Sequence, residues 1–153
     1  MRIKKLVKKM HSILLSKDDH NRLKGLINKY ESLDSLSVEF KGYIFGLKKK
    51  LNRAQILEGG DIKLIDTVTM NSSVRFKNLS TKEEKEYLIV YPKLECKNLG
   101  RISILSEIGV ALLGHKKGDV VRIKRPNGEQ YSVQILDIQS TSLEWIKRLE
   151  ERC

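Results

Sequence analysis

Residues 66–79 read DTVTMNSSVRFKNL, and apolar side chains recur in this stretch at even positions. The apolar members are Val68, Met70, Val74 and Phe76. A period of two is typical of a β-strand that buries one face and leaves the other in water. The stretch therefore predicts a half-buried strand, and with it a small sheet, in the second half of the chain.

Further short elements follow this strand. Apolar runs that predict additional strands lie at 87–91, 102–105, 120–124 and 131–138. The sequence PNG at 126–128 predicts a hairpin between the last two of them. Ser106 is suited to cap one short helix, which we expect to end at Gly114. Residues 141–152 predict a C-terminal helix.

Two helices are predicted in the first half of the chain. Apolar residues at helical spacing are Leu23, Leu26, Ile27 and Tyr30, and then Phe40, Ile44, Leu47, Leu51 and Ala54. Ser16 and Ser37 are the expected N-caps. We expect the first helix to end near Glu31 and the second to run to about Leu57. A short loop joins them, so they form an antiparallel helical hairpin with the character of a coiled coil.

The order of these elements predicts an α+β fold. We divide the chain into a basic N-terminal extension at 1–12, the helical hairpin at 13–60 and an antiparallel sheet domain at 61–153. No apolar run approaches the roughly 20 residues that cross a bilayer, which favours a cytoplasmic protein. The two cysteines, Cys96 and Cys153, are expected to be free thiols. The three histidines lack metal-ligand spacing, so neither a metal nor a cofactor is expected.

The net charge of +11 is concentrated in the first half. Residues 1–60 contain 14 Lys or Arg against 6 Asp or Glu. A candidate basic patch consists of Lys48, Lys49, Lys50 and Arg53. Such an excess favours an acidic partner, which could be nucleic acid, an acidic protein surface or a membrane face, although scattered lysines also serve solubility.

The segments TVTMNSSVRFKNLS, LIVYP and ISILSEIGVALLGHKKGDVV together resemble the Rnk family, the regulators of nucleoside diphosphate kinase, within the larger GreA/GreB group of transcription factors. The resemblance implies that the sheet domain is FKBP-like, with a sheet that wraps one helix. It also implies that this domain docks on bacterial RNA polymerase at the rim of the secondary channel. The hairpin would project into that channel.

The resemblance identifies candidate site residues without implying a catalytic centre. Polymerase docking is assigned to the strand-to-helix junction, which comprises Leu105, Ser106, Glu107 and Ile108. Related factors carry Pro where Glu107 stands. In GreA-like factors two acidic tip residues help to hold a metal ion for RNA cleavage. Rnk-like members have a shorter hairpin and compete with such factors without cleaving.

The tip of this hairpin carries Glu31 and Asp34, three residues apart. Paired carboxylates are suited to Mg²⁺, but acidic residues are also ordinary in exposed turns and helix caps. A short arm does not reach far enough to deliver a metal. We therefore expect a monomeric, non-enzymatic regulator that binds RNA polymerase and has no stable membrane association. The alternatives are a GreA-like cleavage stimulator and a basic nucleic-acid-binding module.

A peptidyl-prolyl isomerase is a further alternative that the FKBP-like fold raises. Such enzymes line their pocket with several aromatic side chains. Aromatic residues make up 6% of this chain, and those of the second half are Phe76, Tyr87, Tyr91, Tyr131 and Trp145. They are better explained as packing residues, and fold alone does not establish function.

Overall fold

The computed structural model describes residues 13–149, and it has the predicted α+β architecture. The helices are α1 Lys17–Glu31, α2 Val38–Arg53, α3 Glu107–Leu112 and α4 Leu143–Leu149. The strands are β1 Leu14–Ser16, β2 Gln55–Leu57, β3 Ser72–Asn78, β4 Glu84–Val90, β5 Arg101–Ser103, β6 Val120–Lys124 and β7 Gln130–Ser140. In the described part of the chain, no helix is long and apolar enough to span a membrane.

Five strands form the main sheet in the order β5-β4-β3-β7-β6. The pairs β3–β4, β3–β7 and β6–β7 are antiparallel, whereas β5 lies parallel to β4. The prediction of a wholly antiparallel sheet is therefore wrong at this edge. Two 3₁₀ turns, Pro92–Leu94 and Lys97–Leu99, carry the chain back before β5 begins, so that β5 runs in the same direction as β4.

The strand predicted at 66–79 is shorter than its pattern of apolar residues. β3 begins only at Ser72, because Asn71 adopts a left-handed backbone conformation with φ of 65°. Val68 and Met70 are nevertheless buried, and they enter the core from the preceding loop. The predicted alternation of burial is thus confirmed for the apolar residues, although only half of them lie in the strand.

Serine caps start both helices of the hairpin, as predicted. Ser16 Oγ accepts a hydrogen bond from the backbone N–H of Asp19 at 3.1 Å, and Ser37 Oγ accepts one from Phe40, also at 3.1 Å. Each cap satisfies one of the backbone donors that the first turn of a helix leaves unpaired. α1 ends at Glu31, as expected.

The end of α2 differs from the prediction. The helix stops at Arg53, and Gln55–Leu57 forms β2, which pairs in parallel with β1. The Gln55 N–H donates to the carbonyl of Ile13 at 2.8 Å. This two-stranded sheet closes the base of the hairpin, because it joins the strand before α1 to the strand after α2.

A single hydrophobic cluster joins the hairpin to the main sheet. Its members from the hairpin are Leu15, Leu23, Ile27, Ile44, Leu47 and Leu51. From the sheet domain it includes Val74 and Phe76 of β3, Ile135 of β7 and Leu112 of α3. The two ranges that we predicted as separate domains therefore share one core.

Besides the backbone hydrogen bond from the Leu14 N–H to the Gly114 carbonyl at 3.1 Å, two charged side chains of the hairpin bind backbone groups of the sheet domain. Lys50 Nζ donates to the carbonyls of Val110 at 2.6 Å and Ala111 at 2.8 Å, where the last carbonyls of α3 lack partners within the helix. Asp19 Oδ2 accepts the backbone N–H of Met70 at 3.1 Å. Burial raises the pKa of the Asp19 carboxyl and lowers that of the Lys50 ammonium to about 7.

The outer face of the main sheet carries a smaller apolar cluster. Ile146 of α4 packs there with Leu88, Val90 and Leu94. Nearby, Cys96 is disulfide-bonded, which corrects the expectation of a free thiol at this position. The other cysteine of the sequence, Cys153, lies outside the described residues, as does the predicted extension at 1–12.

Replacing Gly109 by alanine should destabilise the protein by about 2–3 kcal/mol. Gly109 lies in the first turn of α3, and an added Cβ would be 2.5 Å from the carbonyl oxygen of Ser103 and 2.9 Å from Cα of Ile104. Both neighbours are backbone atoms, which cannot move without disturbing β5 and the turn after it. Urea unfolding followed by circular dichroism measures the change.

The matched control is Gly25→Ala in the middle of α1, where nothing lies within 4 Å of the added Cβ. This substitution should stabilise the protein by about 1 kcal/mol, because alanine has the higher helix propensity. Equal effects of Gly109→Ala and Gly25→Ala would contradict the close packing of α3 on β5.

The buried Lys50 ammonium predicts a pH-dependent stability. Its pKa is lowered from 10.5 to about 7 in the folded protein, so between these values the unfolded chain binds the additional proton. The free energy of unfolding should therefore rise with pH, by up to about 1.4 kcal/mol per pH unit from this group. Urea midpoints at pH 7.5, 8.5 and 9.5 should show a smaller slope for Lys50→Met than for the unsubstituted protein. Parallel slopes would contradict the prediction.

Candidate functional site

The tip of the hairpin consists of the end of α1 and the loop between α1 and α2, and it carries both predicted acidic residues. Glu31 closes α1, and its Oε1 accepts a hydrogen bond from Lys48 Nζ at 3.0 Å in an ion pair. Asp34 is exposed in the loop. The structure thus places the two carboxylates at the same end of the hairpin, but the carboxylate of Glu31 is directed toward α2.

The part of the hairpin that extends beyond the sheet domain is short. A Cβ on Gly46 would lie 3.3 Å from Cγ1 of Val110, so α2 already lies against α3 at this residue. α2 starts at Val38, and the helical rise of 1.5 Å per residue leaves about 12 Å of helix between its start and this contact. The arm that protrudes is therefore only about two turns long on this side.

Aromatic packing stiffens this protruding part. The rings of Tyr30 and Phe40 lie 5.3 Å apart between centroids, in a tilted arrangement that joins the end of α1 to the beginning of α2. Tilted ring pairs at this distance are favourable. The tip is consequently held by side-chain contacts between the helices as well as by the loop.

The strand-to-helix junction forms a second candidate surface. Leu105 is buried in the core, whereas Ser106, Glu107 and Ile108 are half-buried and reach the surface. Ser106 Oγ donates to the carbonyl of Ser103 at 2.7 Å and accepts the N–H of Gly109 at 3.0 Å. The two hydrogen bonds fix the start of α3 relative to β5.

Glu107 takes a defined position at this junction. Its Oε1 accepts a hydrogen bond from the Tyr131 hydroxyl at 3.0 Å. Burial, together with this carboxylate, raises the pKa of Tyr131 to about 12, so the hydroxyl remains a donor at neutral pH. The guanidinium of Arg125 lies 4.8 Å from the centre of the Tyr131 ring. The structure thus presents one ordered carboxylate beside an exposed cation.

The four residues of the predicted basic patch do not share one surface. Lys48 pairs with Glu31, Lys49 Nζ lies 5.4 Å from the centre of the Phe45 ring, and Arg53 is exposed near the end of α2. Lys50 instead turns toward α3, where its ammonium is enclosed. Consecutive helix residues differ by about 100° in direction, which explains why the run KKK separates.

Four of the five aromatic residues of the second half lie in or against the main core, and Trp145 lies apart from them. Phe76 is buried in the core with its ring centroid 5.8 Å from that of Tyr87. Trp145 is half-exposed on the other face of the sheet, in a groove that Leu88 also lines. Trp145 therefore does not share a pocket with Phe76 and Tyr87. Within residues 13–149, no group of three or more His, Cys, Asp or Glu side chains is arranged to hold a metal ion.

A groove between α1 and α2 was not predicted as a site. It is lined by His20, Lys24 and Asn28 of α1 and by Lys48 and Asn52 of α2, with Ile56 of β2 at its base. The i, i+4 spacing within each set puts these side chains on one face of each helix, so the sequence did contain a signal. We call it the inter-helix groove.

Comparisons with known proteins agree with this architecture. Residues 63–140 match the family model described as transcription elongation factor, GreA/GreB, C-term. The GreA transcription elongation factor of Chlorobium phaeobacteroides is 36% identical over 112 residues, which cover 72% of this chain and 69% of that protein. The regulator of nucleoside diphosphate kinase of Escherichia coli is 33% identical over 93 residues, covering 61% of this chain and 68% of that protein.

A solved structure extends the similarity to the hairpin. The GreA/GreB transcription elongation factor from Nitrosomonas europaea aligns with a TM-score of 0.66 and 34% identity, covering 84% of this chain and 99% of that one. The expected resemblance to GreA/GreB proteins and to regulators of nucleoside diphosphate kinase is thus confirmed. The chain belongs to the GreA/GreB family of transcription elongation factors.

Proposed function

We propose that this protein is a non-enzymatic, Rnk-like transcription regulator that binds RNA polymerase at the secondary channel and competes there with cleavage factors. The hairpin at 13–60 would enter the channel, and the sheet domain at 61–153, which we propose to be FKBP-like, would dock at its rim. The coiled-coil character of the hairpin belongs to the same proposal. The protein would act as a monomer in the bacterial cytoplasm.

The short arm is the observation that carries this proposal. α2 lies against α3 from Gly46 onward, so only about 12 Å of helix extends past the contact. Assistance to a reaction requires groups to be placed within about an ångström of productive geometry. An arm of this length occupies an entrance more readily than it delivers a group to a distant centre.

The state of the tip supports the same function. Glu31 is held by Lys48 at 3.0 Å, which neutralises one of the two carboxylates that a shared metal would need. Asp34 remains as a single exposed acid. The tip therefore differs from a pair of convergent carboxylates.

Docking would use the exposed part of the strand-to-helix junction. Ser106, Glu107 and Ile108 reach the surface on a backbone that hydrogen bonds hold in place, whereas Leu105 acts from the core. A preorganised surface of this kind loses little conformational entropy on binding. Glu107 would meet a cationic or hydrogen-bond-donating group of the polymerase.

Specific observations support two alternative functions. A GreA-like cleavage stimulator would use Glu31 and Asp34 after the ion pair between Glu31 and Lys48 opens. This ion pair is exposed, so it is expected to contribute little free energy. A nucleic-acid-binding module would use the exposed Lys48, Lys49 and Arg53. The two experiments below separate these functions from the proposed one.

The first experiment measures binding to bacterial core RNA polymerase. The protein should be retained at low salt, and Glu107→Lys should weaken retention about tenfold or more because it reverses the charge at the docking surface. Glu83→Lys makes the same charge change in the exposed turn between β3 and β4, and it should leave binding unchanged. Absence of retention, or equal effects of both variants, would exclude docking through this junction.

The second experiment follows RNA cleavage by backtracked polymerase. The protein alone should not stimulate cleavage, and an excess should suppress the stimulation that a GreA protein produces, since both would occupy the same channel. Glu31→Ala and Asp34→Ala should behave like the unsubstituted protein. Stimulation that either substitution abolishes would instead establish the cleavage function.

A further inference from the structure

The polar side chains that line the inter-helix groove share one property, which is that each can donate hydrogen bonds. The groove encloses about 350 Å³, within the size range of small-molecule sites. Its polar side chains are those of His20, Lys24, Asn28, Lys48 and Asn52. All of them are cations, imidazole or amides, and among residues 13–149 no carboxylate lines the groove itself, although Glu31 is paired with the lining residue Lys48. Such a set offers several hydrogen-bond donors and positive charge to a ligand.

Both helices contribute opposing donors to this lining. Successive members on α1 are four residues apart, which corresponds to about 6 Å along the helix axis. Lys48 and Asn52 have the same spacing on α2. The donors thus form two rows along the groove, an arrangement that suits an elongated anion with more than one charged group.

The floor of the groove is apolar. Ile27, Leu51 and Ala54 lie beneath the polar rows, and Ile56 closes the base with 41% of its surface exposed. A partly exposed isoleucine in the same groove as the two lysines provides a contact for the uncharged part of a ligand. Pockets for phosphorylated metabolites combine an apolar surface with a few placed polar groups in this way.

The groove also remains open while the hairpin rests on the sheet domain. Gly46 and Lys50 face α3, and Lys48 and Asn52 point in nearly the opposite direction at about 100° per residue. The side of α2 that holds the arm is therefore distinct from the side that lines the groove. A ligand could enter without displacing the arm.

We propose that the inter-helix groove binds a small oligophosphate anion, such as the polyphosphate group of a nucleotide. Lys24 and Lys48 would neutralise the phosphates from opposite helices, while His20 and the two asparagines donate hydrogen bonds. Lysines bind phosphate as point charges. Because the ligand bridges α1 and α2, its binding would join the two helices of the arm more firmly.

Glu31 competes with a bound phosphate for the ammonium group of Lys48. This ammonium is paired with Glu31 at 3.0 Å, so a bound phosphate must share or replace that partner. Removing the Glu31 charge should release Lys48 toward the groove. The substitution Glu31→Gln should therefore strengthen binding more than the loss of another acidic residue of the arm, such as Glu39, whereas general surface electrostatics would make the two effects equal.

The test measures the binding of inorganic pyrophosphate by titration calorimetry and by ³¹P NMR. Binding should weaken about fivefold or more in Lys24→Gln and in Lys48→Gln, and it should strengthen in Glu31→Gln. Lys29→Gln is the matched control, since Lys29 is exposed on α1 outside the groove lining and loses the same charge. Glu39→Gln serves as the acidic control on α2. Thermal melting confirms that each variant is folded.

Three results would overturn the proposal. If pyrophosphate does not bind at millimolar concentration, the groove is not an oligophosphate site. Equal losses in Lys24→Gln and Lys29→Gln would show a response to net charge rather than to the groove. Binding of a single-stranded oligonucleotide without binding of pyrophosphate or of a nucleoside triphosphate would assign the surface to nucleic acid. Since none of these measurements involves polymerase, their outcome is independent of the function proposed above.

Discussion

The contact between α2 and α3 determines how the two parts of this protein are joined. α3 is only six residues long, so most of its backbone carbonyls have no partner within the helix. Lys50 reaches two of them from α2, and Gly46 allows the helices to approach closely. An unpaired buried carbonyl or amine is costly. The position of the arm, its reach and the exposure of its outer face all follow from this contact.

The local elements could be predicted from the sequence because their signals are local. Ser16, Ser37 and Ser106 cap α1, α2 and α3 at the expected positions, and the PNG turn joins β6 to β7. These features depend on side chains within a few residues of the backbone groups that they satisfy. The resemblance to a known family supplied the overall order of hairpin and sheet.

The errors arose where distant parts of the chain decide the structure. Residues Gln55–Leu57 continue the helical pattern of α2, but pairing with Leu14–Ser16 turns them into a strand. Lys50 looks like one member of an exposed basic run, and only the position of α3 reveals that its ammonium is enclosed. The pairing of Glu31 with Lys48 spans 17 residues of sequence, so the tip carboxylates could be located but not their partners.

The closed base of the hairpin has a consequence for how its length can vary. β1 and β2 clamp the two ends of the hairpin together, and the shared core fills the region next to them. Turns of helix inserted near Ser32 or Leu36 would add to the far end and leave this clamp untouched. The length of the hairpin can thus change without changing how its base is attached. Insertions or deletions at the tip would let the same sheet domain carry hairpins of different lengths.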